Sequence, residues 1–246
     1  QKRAPFVIDW LAETAHQAGR RWCVRLVKGA YWDSEIKRAQ EAGLGGYPVF
    51  TRKPNTDVSY LACARRLFDA GGDAIYPQFA THNAHTIAAV HHYAQGRPFE
   101  FQRLHGMGQD LYDEVIGKEH LGVPCRVYAP VGSHEDLLPY LVRRLLENGA
   151  NTSFVNRIVD EDVAIRDLVA DPCEIVRDLA SRPHPRIPLP VALYGDHPAQ
   201  VHGAHFVSRK NSMGVNLAND DELRALADAV NAAHAPWTAA PLVPGA

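Results

Sequence analysis

Apolar positions along the chain follow two alternating rhythms. Helical spacing, with apolar residues at i, i+3, i+4 and i+7, covers 5–18, 33–42, 56–70, 83–94, 108–116 and 134–149. Short, dense apolar runs at 21–27, 74–80, 99–104 and 125–129 read as strands. Strand alternating with helix, with later strands about 25 residues apart, predicts parallel β/α units. The runs are apolar enough to expect burial on both faces. After 149 the rhythm changes. A helix is expected near 161–169, then an extended, proline-dense stretch centred on RPHPRIPLP at 182–190, then a capped helix from 220 to 233.

Polar residues gather just after each strand, in KGAYW (28–32), THN (81–83), LHG (104–106) and PVG (130–132). That edge is where a (β/α)₈ barrel places its chemistry. The predicted class is therefore α/β, the C-terminal half of a (β/α)₈ TIM-like barrel with four parallel strands visible. A proline-rich linker and the start of a second domain come after it. The expected boundaries are 1–154 for the barrel part, 155–198 for the linker and 199–246 for the second domain. Because the helical pattern starts almost at residue 1, the chain is expected to begin inside a larger protein.

Composition changes this picture little. The 246 residues carry 46% hydrophobic and 22% charged side chains and a net charge of −2. Neither nucleic acid nor a lipid surface has the basic patch it would need. Four scattered cysteines, Cys23, Cys63, Cys125 and Cys173, suit reduced thiols rather than a disulfide framework or a zinc cluster. No run of apolar residues is long enough to span a bilayer.

The helix at 134–149 holds the richest candidate chemistry. Tyr140, Arg143, Arg144 and Glu147 share one face, opposite Leu138, Val142, Leu145 and Leu146. Two neighbouring guanidinium forks can clamp a small carboxylate. The alternative is a surface helix with an Arg143–Glu147 ion pair worth a few tenths of a kcal/mol. Arg25, on a strand, must meet an anion, a carbonyl, a ligand or a neighbouring carboxylate. Thr51, Arg52 and Lys53 suit a phosphate or a solvated loop. Thr81, His82 and Asn83 stand where a helix N-terminus would accept phosphate oxygens. His105 reads equally well as a core histidine. His82, His85 and His105 make a weak metal set, with no acidic or cysteine partner nearby.

Taken together, RLVKGAYWD (25–33), YPQFATHNAH (76–85), LHGMG (104–108), YAPVG (128–132) and YLVRRLLENGANTSF (140–154) resemble the proline dehydrogenase barrel of the proline utilization A family. The motifs are long and stand in the family's order. LYG (193–195) and NSMG (211–214) onward look like the start of that family's aldehyde dehydrogenase domain. The resemblance implies an FAD-dependent oxidation of L-proline to Δ1-pyrroline-5-carboxylate. Arg143 and Arg144 would hold the proline carboxylate and Glu147 those guanidiniums. Tyr31, Leu104, Tyr128 and Tyr140 would wall the ring. Arg25, Tyr128, Arg143 and Arg144 would be catalytic. Arg25, Val27, Lys28, Gly29, Ala30, Trp32, Thr51, Lys53, Thr81, His82, Asn83, Gln102 and Phe154 would line FAD, with Lys53 on its pyrophosphate.

The resemblance carries further expectations. Electrons would pass to a membrane quinone, and the remainder of the polypeptide would be a partner. NAD would serve only the aldehyde dehydrogenase domain, and the setting would be cytoplasmic, peripheral to a membrane in the full-length protein. The isolated chain, lacking the family's earlier strands with their Lys and Asp, is expected to be inactive or nearly so. Rival readings are a metal-dependent barrel hydrolase and a non-catalytic assembly or docking fragment.

Overall fold

The computed structural model describes residues 1–29, 31–149, 157, 160, 162–193, 198–200, 206–208 and 213–233. Helix and strand alternate as α1 (Ala4–Gln17), β1 (Trp22–Leu26), α2 (Trp32–Glu41), α3 (Lys53–Gly71), β2 (Ile75–Ala80), α4 (Ala84–Ala94), β3 (Glu100–Leu104), α5 (Gln109–Asp113), β4 (Cys125–Tyr128) and α6 (His134–Gly149). Then come α7 (Ile165–Leu168), α8 (Pro172–Arg177), a 3₁₀ turn (Pro190–Ala192), β5 (Pro198–Gln200), β6 (Phe206–Ser208) and α9 (Asp220–Ala232). The chain divides into two compact units, 1–32 with 48–187, and 33–47 with 188–246.

In the first unit β1, β2, β3 and β4 pair in that order, all parallel. The two faces of this sheet differ sharply. Ile75, Phe79, Phe99 and Phe101 point to the helical side and are buried. There they meet the stripe of α3, whose Tyr60, Cys63, Ala64, Leu67 and Phe68 follow i, i+3, i+4, i+7, i+8 spacing and are all buried. The aromatic rings interlock edge to face: Phe68 lies 5.5 Å from Phe99, and Phe99 5.1 Å from Phe101. Helices α1 and α4 pack on either side of α3 and complete the core with Ile8, Ala12, Ile87 and Val90.

The other face is polar. Cys23, Arg25, Tyr76, Gln78, Glu100, Gln102, Arg126 and Tyr128 alternate with the core residues along their strands. The expectation of strands apolar on both faces is therefore corrected. Period-2 alternation gives the helices one face and leaves the second to hydrogen-bonding groups, as the filled interior of a barrel can use.

Several bounds shift for local reasons. Helix α3 starts three residues before the expected 56, because Pro54, which has no N–H to lose, fits the first turn. Helix α4 is capped by Asn83, whose Oδ1 accepts the Thr86 N–H at 3.1 Å. Helix α6 keeps its expected limits despite Pro139 inside it. The helix expected at 161–169 is the single turn α7, with Glu161 outside the described residues. Helix α8, unforeseen, lies within the stretch read as linker and packs on α3.

In the second unit, the Tyr47 hydroxyl donates to the Pro188 carbonyl at 2.7 Å and β5 pairs antiparallel with β6. Helix α9 is capped by Asn219, whose Oδ1 accepts the Asp221 N–H at 3.1 Å. Asn219 also donates to Glu222 at 3.0 Å. Among the described residues, no helix is long and apolar enough to cross a membrane.

The aromatic layer carries most of the first unit's packing. Phe79→Ala is expected to lower its stability by about 3–5 kcal/mol, because the rings around it cannot close the void. Urea unfolding followed by tryptophan fluorescence checks this; a loss under about 1 kcal/mol would contradict the assigned core.

Candidate active site

The C-terminal strand ends lie side by side, since Leu26 pairs opposite Phe79, Ala80 opposite Gln102 and Leu104 opposite Tyr128. The loops leaving them therefore share one rim, and α6 places its arginines there. The Arg143 guanidinium lies 4.3 Å from the Tyr31 ring centre and that of Arg144 4.9 Å from Tyr140. On β1, Arg25 lies 4.8 Å from the Tyr128 ring centre. The Tyr128 and Tyr140 phenols are close enough to influence each other. Burial raises the Tyr128 pKa, against the opposing pull of the Arg25 charge, so it stays a neutral phenol. Arg25 with Tyr128, Arg144 with Tyr140 and Arg143 with Tyr31 thus make three cation–π pairs, with Leu104 opposite Tyr128 on the neighbouring strand. The side chain of Glu147 lies outside the described residues, as do Ala30 and Phe154.

A second group stands beside it. Lys28 pairs with Asp57 at 3.0 Å, donates to Thr86 at 3.3 Å and lies 5.0 Å from the Tyr60 ring centre. Lys53 meets the other oxygen of Asp57 at 2.7 Å. Burial lowers the Lys28 pKa, and Asp57 works against that fall. Lys28, Lys53, Asp57 and Thr86, with Asn83 and His85, line one side of a cleft. Gly29 turns the chain at φ +63°, Val27 is exposed, and the Trp32 indole donates to the Phe50 carbonyl at 2.7 Å.

His82 is held from two sides. Its Nε2 accepts the Leu104 N–H at 3.3 Å, and Gly108, at φ +66°, packs against its ring. Burial, with the charges of Arg103 and Arg144, pushes its pKa down and keeps the imidazole neutral. Arg103 pins the loop behind it, donating to the Met107 carbonyl at 3.2 Å and to Gln109. The Thr81 carbonyl accepts from the buried Tyr112 hydroxyl at 2.8 Å.

Some expectations change. His105 is exposed, so the core-histidine reading fails. Thr51 and Arg52 reach backbone groups, the His184 N–H at 2.9 Å and the Pro183 carbonyl at 3.2 Å. Gln102 donates to Glu100 at 2.8 Å. Among the described residues, no three His, Cys, Asp or Glu gather as metal ligands, and the His82 Nε2 lone pair is engaged.

Sequence reasoning missed Glu100. Its carboxylate, 5% exposed, accepts from Gln78 at 2.8 Å, from Gln102 at 2.8 Å and from Arg126 at 2.8 and 2.9 Å. Those bonds, Arg126 foremost, hold its pKa below the usual carboxylate range. The signal was the alternation within IYPQFA, EFQRL and CRVY, which puts Gln78, Glu100, Gln102 and Arg126 on one face. Asp57, the counter-charge to both lysines, was also missed.

A family model described as proline dehydrogenase matches residues 1–157. The chain belongs to the proline dehydrogenase family. It is 56% identical to the bifunctional protein PutA of Escherichia coli over 99% of its own length and 19% of that protein's. It superimposes on a crystal structure of bifunctional proline utilization A (PutA) with a TM-score of 0.83 at 48% identity, covering 98% of this chain and 23% of that one. It is also similar, at 32% identity and TM-score 0.70, to PutA from Bdellovibrio bacteriovorus inactivated by N-propargylglycine, over 94% of this chain and 22% of that one. The chain spans about a fifth of the length of these curated relatives. Its four parallel strands and helices are the α/β, TIM-barrel-like fold of the family.

Two predictions arise from this geometry. Replacing Glu100 by Gln is expected to cost about 1–3 kcal/mol near neutral pH. Because the folded carboxylate has the lower pKa, its contribution is complete above roughly pH 4.3 and is lost as pH falls through the folded value. The gap between parent and variant should therefore narrow on the acid side in urea unfolding at stepped pH. Gly108→Ala puts a methyl 2.7 Å from the His82 Cδ2 on a backbone at φ +66°. A loss of about 1–3 kcal/mol and a shifted His82 imidazole NMR signal are expected; an unmoved signal would contradict the packing.

Proposed function

We propose that this chain supplies the carboxylate-binding and cofactor-binding side of an FAD-dependent proline dehydrogenase, which oxidises L-proline to Δ1-pyrroline-5-carboxylate. The observation that carries the reading is the pair of α6 guanidiniums stacked on Tyr31 and Tyr140 at the strand-end rim. A ring takes the face of a guanidinium, whereas a carboxylate is bound through its N–H edge. Arg143 and Arg144 bind the proline carboxylate, and Glu147 orients them. Tyr31, Leu104, Tyr128 and Tyr140 enclose the apolar ring and exclude water. Arg25 would set positive charge near the cofactor, favouring its reduced, electron-rich form.

The residues present fit FAD by their donor set. Lys28 and Lys53 share one carboxylate, Asp57, so their patch keeps positive charge beside the Asn83-capped end of α4. Val27, Gly29, Ala30, Trp32, Thr51, Thr81, His82, Asn83, Gln102 and Phe154 complete that assignment. When bound, FAD would supply the acceptor for the hydride leaving C5 of proline. Transfer of the electrons to a membrane quinone, from a cytoplasmic protein that also carries an NAD-dependent aldehyde dehydrogenase domain, belongs to the same proposal. So does the division at 154 and 198 into barrel, linker and second domain.

The test places this segment in E. coli PutA in exchange for its counterpart. In that chimera Arg143→Met and Arg144→Met are each expected to raise KM for proline about 10- to 100-fold, the worth of one charge-assisted bond at about 1.5–3 kcal/mol. N-propargylglycine should inactivate the parent chimera and do so more slowly in either variant. Unchanged KM in both would overturn the carboxylate clamp.

A further inference from the structure

The cleft beside Lys28 and Lys53 has a second wall. Arg157, Asp167, Leu168, Ala170, Pro172 and Ile175 face the lysines across it. Five of these six lie beyond residue 157, where the match to the family model ends. They belong to the stretch whose proline density suggests a passive linker. Arg157 is tied to this wall, donating to the Asp167 carbonyl at 3.1 Å. Helix α8 begins at Pro172, which is buried, and rests on α3.

Three side chains around the start of α3 fasten residues 182–184. Thr51 Oγ1 accepts the His184 N–H at 2.9 Å, the Arg52 Nε donates to the Pro183 carbonyl at 3.2 Å, and Asn55 Nδ2 donates to the Arg182 carbonyl at 2.9 Å. Consecutive backbone groups at 182, 183 and 184 are thus read by residues 51, 52 and 55. Lys53, in the cleft, sits between the fastening residues in sequence.

We infer that residues 162–184 form a strap whose inner side, with Arg157, is a wall of the cofactor cleft, fastened by Thr51, Arg52 and Asn55, and that it retains the diphosphate-bearing part of the dinucleotide. This rests on the FAD reading above. The charges agree with an anion: Lys28, Lys53 and Arg157 against Asp57 and Asp167 leave one net positive charge around the cleft. Leu168, Ala170 and Ile175 place apolar surface beside the lysines, which lowers the local dielectric and strengthens their contacts with an anion. Arg52 and Asn55 are positioning residues. They touch the strap and act on the cofactor only through it.

The test uses the same chimera with bound FAD. Arg52→Ala with Asn55→Ala is expected to speed FAD release at least threefold, read by the rise in flavin fluorescence on dilution, with KM for proline at saturating FAD unchanged. Ile175→Ser, which leaves the fastening intact, should speed release in the same direction. By linkage, FAD should slow tryptic cleavage after Arg177 and Arg186 in the parent chimera. Release rates equal to the parent in both variants, or cleavage indifferent to FAD, overturn the strap while leaving the FAD site standing. A parent chimera that holds no flavin overturns the FAD reading and the strap with it.

Discussion

In-register parallel pairing of the four strands is the constraint on which the site depends. It sets Arg25 opposite Gln78, Gln78 opposite Glu100, Gln102 opposite Arg126 and Leu104 opposite Tyr128. A slip of one residue would exchange the faces, sending Phe79 and Phe101 inward and Glu100 into the helices. Two opposed forces hold the register. The phenylalanines lock the outer face against α3 through ring contacts of 5.1–5.5 Å. Glu100 locks the inner face by joining three strands through one carboxylate. With the register held, the strand ends share an edge, and the loops bearing Tyr31, His82, His105 and Val131 leave from one rim.

Glu100 and Asp57 divide the work of charge. Glu100 engages Arg126 with two bonds, so that guanidinium is committed to the sheet. Asp57 faces two lysines and can neutralise only one. The arginines at the rim lie on tyrosine faces at 4.3–4.9 Å. A ring holds a cation with about 0.5–1 kcal/mol at exposed sites, enough to orient it. Ion pairs therefore stiffen the scaffold, while cation–π contacts orient the guanidiniums at the rim.

Much of this was legible in the sequence, and the exceptions share a cause. The limits of α6 and the ends of the strands follow from local periodicity, and the rim residues from their position after each strand. Glu100 was hidden because EFQRL is short and its flanking phenylalanines dominate any apolar count. Its role appears only when three strands are paired, and pairing is not local information. Asp57 was hidden for the same reason: its partner Lys28 is 29 positions earlier in the chain. His105 could be core or rim on sequence grounds, and only the turn after β3, which exposes it, decides. Glu147, Ala30 and Phe154 rest on the family resemblance alone.

Proline density misleads in one further respect. A segment such as RPHPRIP is extended, as prolines require, and extended segments are easily taken for spacers. Yet the same restriction reduces the entropy such a segment loses when it is fastened, because its unfolded ensemble is already narrow. Three hydrogen bonds, each worth about 1 kcal/mol net, suffice to seat 182–184 on α3 only under that condition. A glycine-rich segment of equal length would lose far more freedom and would not stay down on the same three bonds. The prolines thus lower the entropy that this segment loses when it is fastened.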